Sequence, residues 1–267
     1  MTTAKAIVRL AAIGDIHYTR ASPGTLQPLF AHIVEHADVL LLCGDIIDYG
    51  LPEEARLFVK DLTATVKGPI LAVLGNHEYE SGKQEEVRHI FADAGILMLD
   101  GDAYEIYGVG FAGVKGFAGG FGKHALQAWG EETVKHFVHE AVNETLKLES
   151  ALAKLRTAQR IAVVHYSPIQ ATVEGEPTEI FAFLGSSRLE EPLNRYSVTA
   201  VFHGHAHRGS PEGRTRENIP VYNVAMPLLQ HTFLDRPPVR ILEIATGNTV
   251  TAAPHSAMGM APSAPNR

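Results

Sequence analysis

The chain has little that would staple it, anchor it in a bilayer or draw it to nucleic acid. Its 267 residues include one cysteine, Cys43, so no disulfide can form within the chain. Cys43 lies in the apolar run DVLLLCG and reads as a buried structural thiol. No apolar run approaches the ~18 residues of a membrane span. The opening MTTAKAIVRLAAIGD holds Lys5 and Arg9 but only a short, interrupted apolar stretch. It reads as a strand and not as a signal peptide, and a cytoplasmic protein is expected. The formal charge of −7 leaves no basic footprint, which argues against nucleic acid as the partner. No internal repeat, low-complexity block or interdomain linker is visible.

What is present suits a globular protein. The hydrophobic fraction is 45% and charged residues make up 20%, enough for a sizeable core. Residues 6–13, 38–43 and 69–74 are near-continuous apolar runs, as expected of parallel strands covered on both faces. Stretches 24–37, 53–66 and 83–94 carry apolar residues at helical spacing. Each of the three strands ends in a polar cluster: Gly14-Asp15-Ile16-His17, Gly44-Asp45-Ile46-Ile47-Asp48 and Gly75-Asn76-His77-Glu78. Asp15 to Asp45 is 30 residues and Asp45 to Asn76 is 31. That is about the length of one βαβ unit. The clusters therefore fall just past the carboxyl ends of successive strands, where open α/β sheets bind ligands.

The texture changes after residue 95. Stretches 96–99 and 104–111 read as strands interrupted by Gly108 and Gly110. Residues 113–122, GVKGFAGGFG, read as a loop beside an active site, because its phenylalanines would be wasted on a solvent-exposed linker. Residues 131–155 form the longest amphipathic helical pattern and are expected to pack across a sheet. Residues 160–164 read as a strand ending in His165-Tyr166-Ser167-Pro168, followed by a loop over 170–184 that reaches toward the substrate. A short helix over 189–196 precedes a strand over 197–202. Stretches 221–225 and 239–244 read as antiparallel strands. Residues 252–267 are small, polar and proline-rich and are expected to form a disordered tail. Two stacked sheets with helices outside, in one domain over 1–251, fit this order best.

One stretch concentrates imidazoles. VFHGHAH places His203, His205 and His207 at alternate positions, with Gly204 marking the end of the strand. Two of these rings project into one small volume, and neutral imidazole is the commonest metal ligand among side chains. His203 precedes the motif and reads as a structural residue.

The ordered series Asp15-x-His17, Gly44-Asp45-x-x-Asp48, Gly75-Asn76-His77-Glu78, His165 and Gly204-His205-x-His207 resembles the calcineurin-like metallophosphoesterase superfamily. All five blocks occur in the family's order, and the nearest likeness within it is to bacterial cyclic-nucleotide phosphodiesterases. The resemblance implies a four-layer α/β/β/α sandwich of two mixed sheets. It implies two transition-metal ions, with Asp15, His17 and His207 on the first, Asn76, His165 and His205 on the second, and Asp45 bridging. The mixed carboxylate, imidazole and amide set suits Mn, Fe or Zn. A hydroxide held between the ions would attack phosphorus. His77 would protonate the leaving group or stabilise the phosphoryl oxygens, and Asp48 would pair with His77. Tyr18, Ser167 and Asn223 are further candidates for the pocket lining.

Tyr49 stands where the Ser/Thr protein phosphatases of this superfamily carry arginine, which removes a bidentate phosphate-binding group. A phosphodiesterase acting on a cyclic nucleotide or another small diester is the expectation. A phosphomonoesterase on the same site, and a non-catalytic interaction module retaining the fold, are the alternatives.

Overall fold

The computed structural model describes residues 5–247. The expected tail over 252–267 lies outside them. The chain runs β1 (Ile7–Ile13), α1 (Gln27–His36), β2 (Val39–Cys43), α2 (Pro52–Thr65), β3 (Ile70–Val73), α3 (Gln84–Asp93), β4 (Leu97–Met98), β5 (Asp102–Ile106) and β6 (Val109–Val114). It continues with α4 (Glu132–Lys154), β7 (Gln159–Val164), α5 (Phe181–Leu184), α6 (Glu190–Arg195), β8 (Ala200–His203), β9 (Glu212–Arg214), β10 (Pro220–Asn223), α7 (Met226–Thr232) and β11 (Arg240–Ala245).

The strands form two mixed sheets, ordered β11-β1-β2-β3-β4 and β5-β6-β7-β8-β10-β9. Alternation along each strand sends side chains to opposite faces and so builds three apolar layers. Leu10, Leu41, Cys43 and Val73 of the first sheet meet Phe111, Val163 and Phe202 of the second in the sandwich interior. The outward residues Ile13, Leu40, Leu42 and Ala72 pack under Phe30, Phe58, Leu62 and Phe91 of α1–α3. On the far side, Ala112, Val114, Ala162 and Val201 pack against Leu148 and Leu152 of α4 and Leu193 of α6. Helices, sheet, sheet and helices thus make the four expected layers, with α4 lying across the second sheet. Cys43 is fully buried, and burial pushes its thiol well above the usual range.

Several details differ from the sequence reading. The stretch read as one strand over 104–111 is a hairpin, in which β5 and β6 pair antiparallel from Asp102↔Gly113 to Ile106↔Val109. Tyr107 and Gly108 both take positive φ, 54° and 87°, and supply the two left-handed residues that a tight hairpin turn requires. β10, expected to be antiparallel, runs parallel to β8 and antiparallel only to the short β9. The 170–184 stretch is not featureless: it holds two 3-10 turns and the single helical turn α5. Among the described residues, no helix is long and apolar enough to cross a membrane.

Candidate metal centre

The carboxyl ends of β1, β2 and β3 in one sheet face those of β7 and β8 in the other, and every polar cluster lies there. The turns that follow are strained. Asp15, His17, Asp45 and His205 have φ of 53°, 48°, 47° and 71°. They are four of the seven non-glycine residues with left-handed backbone among the described residues. Such conformations cost of order 1–3 kcal/mol each and persist where the surroundings over-determine them. Close packing enforces the glycines as well: a Cβ on Gly75 would strike the Asp45 carboxylate, and one on Gly204 would strike that of Asp15.

All seven expected ligands converge. Ligand atoms of Asp15, His17 and His207 lie within 4.8 Å of one another, as do those of Asp45, His165 and His205. Asn76 Oδ1 lies 3.0 Å from His165 Nε2, and Asp45 Oδ1 lies 3.4 Å from the same nitrogen. His207 Nε2 is 3.0 Å from Asp15 Oδ1, while the His205 backbone N–H donates to the Asp15 carboxylate at 2.9 Å.

Outer contacts fix which ring nitrogen faces inward. His17 Nδ1 bonds the Asp48 carboxylate at 3.0 Å, His165 Nδ1 bonds the Cys43 carbonyl at 2.9 Å, and His205 Nε2 bonds the Phe183 carbonyl at 3.1 Å. Each such bond turns the opposite nitrogen toward the centre, the arrangement that metal-ligating histidines use. His17 Nε2 is buried and has no hydrogen-bond partner. An orphaned imidazole nitrogen beside two carboxylates fits a cation.

The electrostatics agree. Burial would raise the Asp45 pKa, but His165 and His77 hold it well below the usual carboxylate range. Burial opposes charge on His165, yet the Asp45 carboxylate outweighs it and lifts the pKa to about 9. Burial and the charge of His165 push His205 down to about 4, which leaves its ring neutral, the form a metal ion requires. Every ion-pair partner of Asp15, Asp45 and Asp48 among the described residues is a histidine.

The remaining candidates sort by contact. His77 Nδ1 donates to the Asp48 backbone carbonyl at 2.6 Å, and its Nε2 lies 3.9 Å from Asp45 Oδ2. The expected Asp48–His77 pairing is thus mainly through the backbone; the Asp48 carboxylate lies 3.5 Å from His77 Nδ1 and closer to His17. His203 is buried and spent on Gly204 O and Thr172 Oγ1. Tyr18 is buried and donates to Asp61, and Ser167 is buried against Ile169 and Thr172. Asn223 donates to the Ala206 carbonyl at 2.8 Å. These three brace the surrounding loops and do not line a pocket.

Two contributors were not assigned a role from sequence. Glu78 is fully buried and accepts from the backbone N–H groups of Gly75 (2.6 Å), Asp45 (3.1 Å), Ile46 (2.7 Å) and Ile47 (3.0 Å). Burial and the Asp45 charge push its pKa up to about 7. Lys115, just past β6, accepts at its carbonyl from the N–H groups of His165 and Tyr166 at 3.0 and 3.1 Å. Its ammonium sits over the rings of Phe117, Tyr166 and Tyr79 at 4.9, 5.3 and 5.5 Å. A lone cation inside the glycine–phenylalanine stretch was the available signal for it.

With that geometry in place, the comparison with known sequences is decisive: the sequence model of the calcineurin-like phosphoesterases matches residues 8–209. The chain belongs to the calcineurin-like phosphoesterase family. No curated protein sequence matches it. Among solved structures, a phosphopantetheinyl hydrolase from Mycobacterium tuberculosis superposes with a TM-score of 0.64 at 15% identity, over 95% of this chain and 99% of that one. GAP50, the anchor in the inner membrane complex of Plasmodium, gives 0.55 at 12% identity over 84% and 73%. TT1561 of Thermus thermophilus gives 0.53 at 14% identity over 84% and 91%. At these identities the three share the fold with this calcineurin-like chain and nothing finer.

Proposed function

We propose that the chain is a metal-dependent phosphoesterase that hydrolyses a small phosphodiester, of which a cyclic nucleotide is one. The reading rests above all on the unpartnered, buried Nε2 of His17 among six other side chains able to ligate a metal, Asp15, Asp45, Asn76, His165, His205 and His207. Asp15, His17 and His207 would hold one ion, Asn76, His165 and His205 a second, and Asp45 would serve both. Bound there, divalent ions of the Mn, Fe or Zn type supply Lewis acidity and lower the pKa of water to about 7.

The chain's own groups do the rest. Asp48 orients His17, the Cys43 carbonyl orients His165, and the Phe183 carbonyl orients His205. His77, pinned at Nδ1 by the Asp48 carbonyl, presents Nε2 to the departing oxygen and delivers its proton there. A diester suits the site better than a monoester dianion, because among the described residues only histidines pair with these carboxylates, and Tyr49 stands where related phosphatases carry a phosphate-clamping arginine.

The test is elemental analysis after manganese loading, paired with hydrolysis of bis(4-nitrophenyl) phosphate against 4-nitrophenyl phosphate. Close to two ions per chain and a preference for the diester are expected, with activity lost on chelation. One ion or fewer overturns the dinuclear assignment, and a monoester preference overturns the diester.

A further inference from the structure

An apolar groove of ≈ 380 Å³ opens beside the centre, lined by Gly119, Leu126, Val134, Phe137 and Phe183 among others. Its walls are tied together by backbone bonds. Gly119 N–H donates to Ala182 O at 2.7 Å, Gly120 N–H to Gly185 O at 2.8 Å, and Leu126 N–H to Gly119 O at 2.7 Å. The groove is therefore a built feature and not a gap between loose segments.

Two links join it to the metal ligands. The Phe183 carbonyl fixes His205, while the Phe183 side chain on the groove is 59% exposed. An aromatic path runs from His205 to Tyr166 (4.4 Å between ring centres), to Phe117 (5.9 Å) and to Phe137 (4.9 Å) on the groove wall. Beneath it, Phe121 and Leu184 pack with Ala206, the residue between His205 and His207.

The chemistry of the lining narrows the occupant. Its only polar side chains are those of His124 and Thr133; no carboxylate, lysine or arginine takes part. A second phosphate would find no lysine or arginine there. A sugar or nucleobase would leave most of its hydrogen-bonding groups unpaired, which costs free energy on burial. Exposed Phe183, in contrast, gains by being covered.

We propose that this groove seats an uncharged aliphatic or aryl ester arm of the phosphodiester cleaved at the adjacent centre. The proposal rests on the phosphodiesterase reading and deepens it, narrowing the small diester to one that carries an apolar arm in place of a cyclic nucleotide. Substrate choice would then come from apolar contact along α4 and α5, and scission from the histidine–carboxylate cluster.

The test has two parts. First, the manganese-loaded protein is given 4-nitrophenyl phosphodiesters whose second arm is methyl, butyl or octyl. At about 0.8 kcal/mol per buried methylene, kcat/KM should climb about fourfold for each methylene that enters the groove. Val134→Asp should flatten that series, and Leu126→Asp serves as a second variant should the first fail to fold. Second, the metal-free protein is titrated by calorimetry with octylphosphonate and with methylphosphonate. Octylphosphonate alone should bind, and Val134→Asp should abolish the binding.

Octylphosphonate binding without any diester hydrolysis would sustain the groove as an apolar-arm site and overturn the phosphodiesterase reading instead. Diester hydrolysis with no dependence on arm length overturns the groove proposal. So does sedimentation that shows a dimer which Val134→Asp dissociates while octylphosphonate fails to bind, for the occupant is then a second copy of the chain.

Discussion

At the scale of single residues, His165 answers to two opposed demands. Asp45 lifts its pKa to about 9 against burial, so in the metal-free protein it carries a proton across the neutral range. A raised pKa contributes stability that is fully present below the ordinary value of 6.5 and is lost as pH rises through about 9. A metal ion needs the neutral ring, so loading displaces that proton. Apparent metal affinity should therefore rise with pH up to about 9, by as much as tenfold per unit from this group. Chelator competition at pH 6, 7 and 8 measures it, and a flat profile would remove His165 from the ligand set. His77 makes a different demand. If it delivers a proton, His77→Ala should slow an alkyl diester about 10²–10⁴-fold more than a nitrophenyl diester, whose leaving group departs unaided. Equal losses would assign it to stabilising the phosphoryl oxygens. Asp48→Asn should not copy this pattern, because the carbonyl that holds His77 stays in place. Its effect belongs to His17, whose loss of a carboxylate partner weakens metal binding about 10–100-fold.

At the scale of elements, the turns after β2 and β3 depend on one carboxylate. Glu78 takes two backbone N–H donors on each oxygen, from Gly75 and Asp45 on one and Ile46 and Ile47 on the other. In Glu78→Gln the amide NH₂ faces one of those donor pairs whichever way it turns. A loss of roughly 1–3 kcal/mol per orphaned group is expected, read by urea denaturation of the metal-free protein. Metal affinity should fall in parallel, since Asp45 rides on the same turn. A wild-type midpoint would show that water replaces the carboxylate and that the turns are self-supporting. The role of Glu78 was not legible in the sequence, because its partners at 45–47 lie more than thirty positions away. The proposed ligands were legible, because each lies at or just past the end of an apolar run, all but His165 behind a glycine. The hairpin β5–β6 was not: Gly110 and Gly113 sit inside β6, where a Cβ would crowd Leu155 and Leu99, and they mimic turn signals. Nor was α7, whose seven residues are too few to show a periodic stripe.

At the scale of the molecule, the four layers follow from apolar runs covered on both faces in the first half of the chain. The second half hides its topology, because β10 pairs parallel with β8 across an intervening short strand, and β11 returns to the far edge beside β1. Such pairings join segments that no local pattern connects. The proposed ligands divide along the same line: Asp15, His17, Asp45 and Asn76 come from the first sheet, and His165, His205 and His207 from the second. His207 meets Asp15 across 192 positions, and Ile7 pairs with Ala245. This long reach sets an order of events during synthesis. Four ligands leave the ribosome early, on a half-built sheet that lacks its β11 edge and has no second sheet to cover it. Contacts so distant in sequence form late and slowly. The early residues thus wait uncovered, their left-handed turns not yet enforced by the second sheet, until nearly the whole chain has emerged. Capture of the proposed ions would then be a closing step of biogenesis, and a nascent chain cut short before residue 203 would keep at most five of the seven proposed ligands.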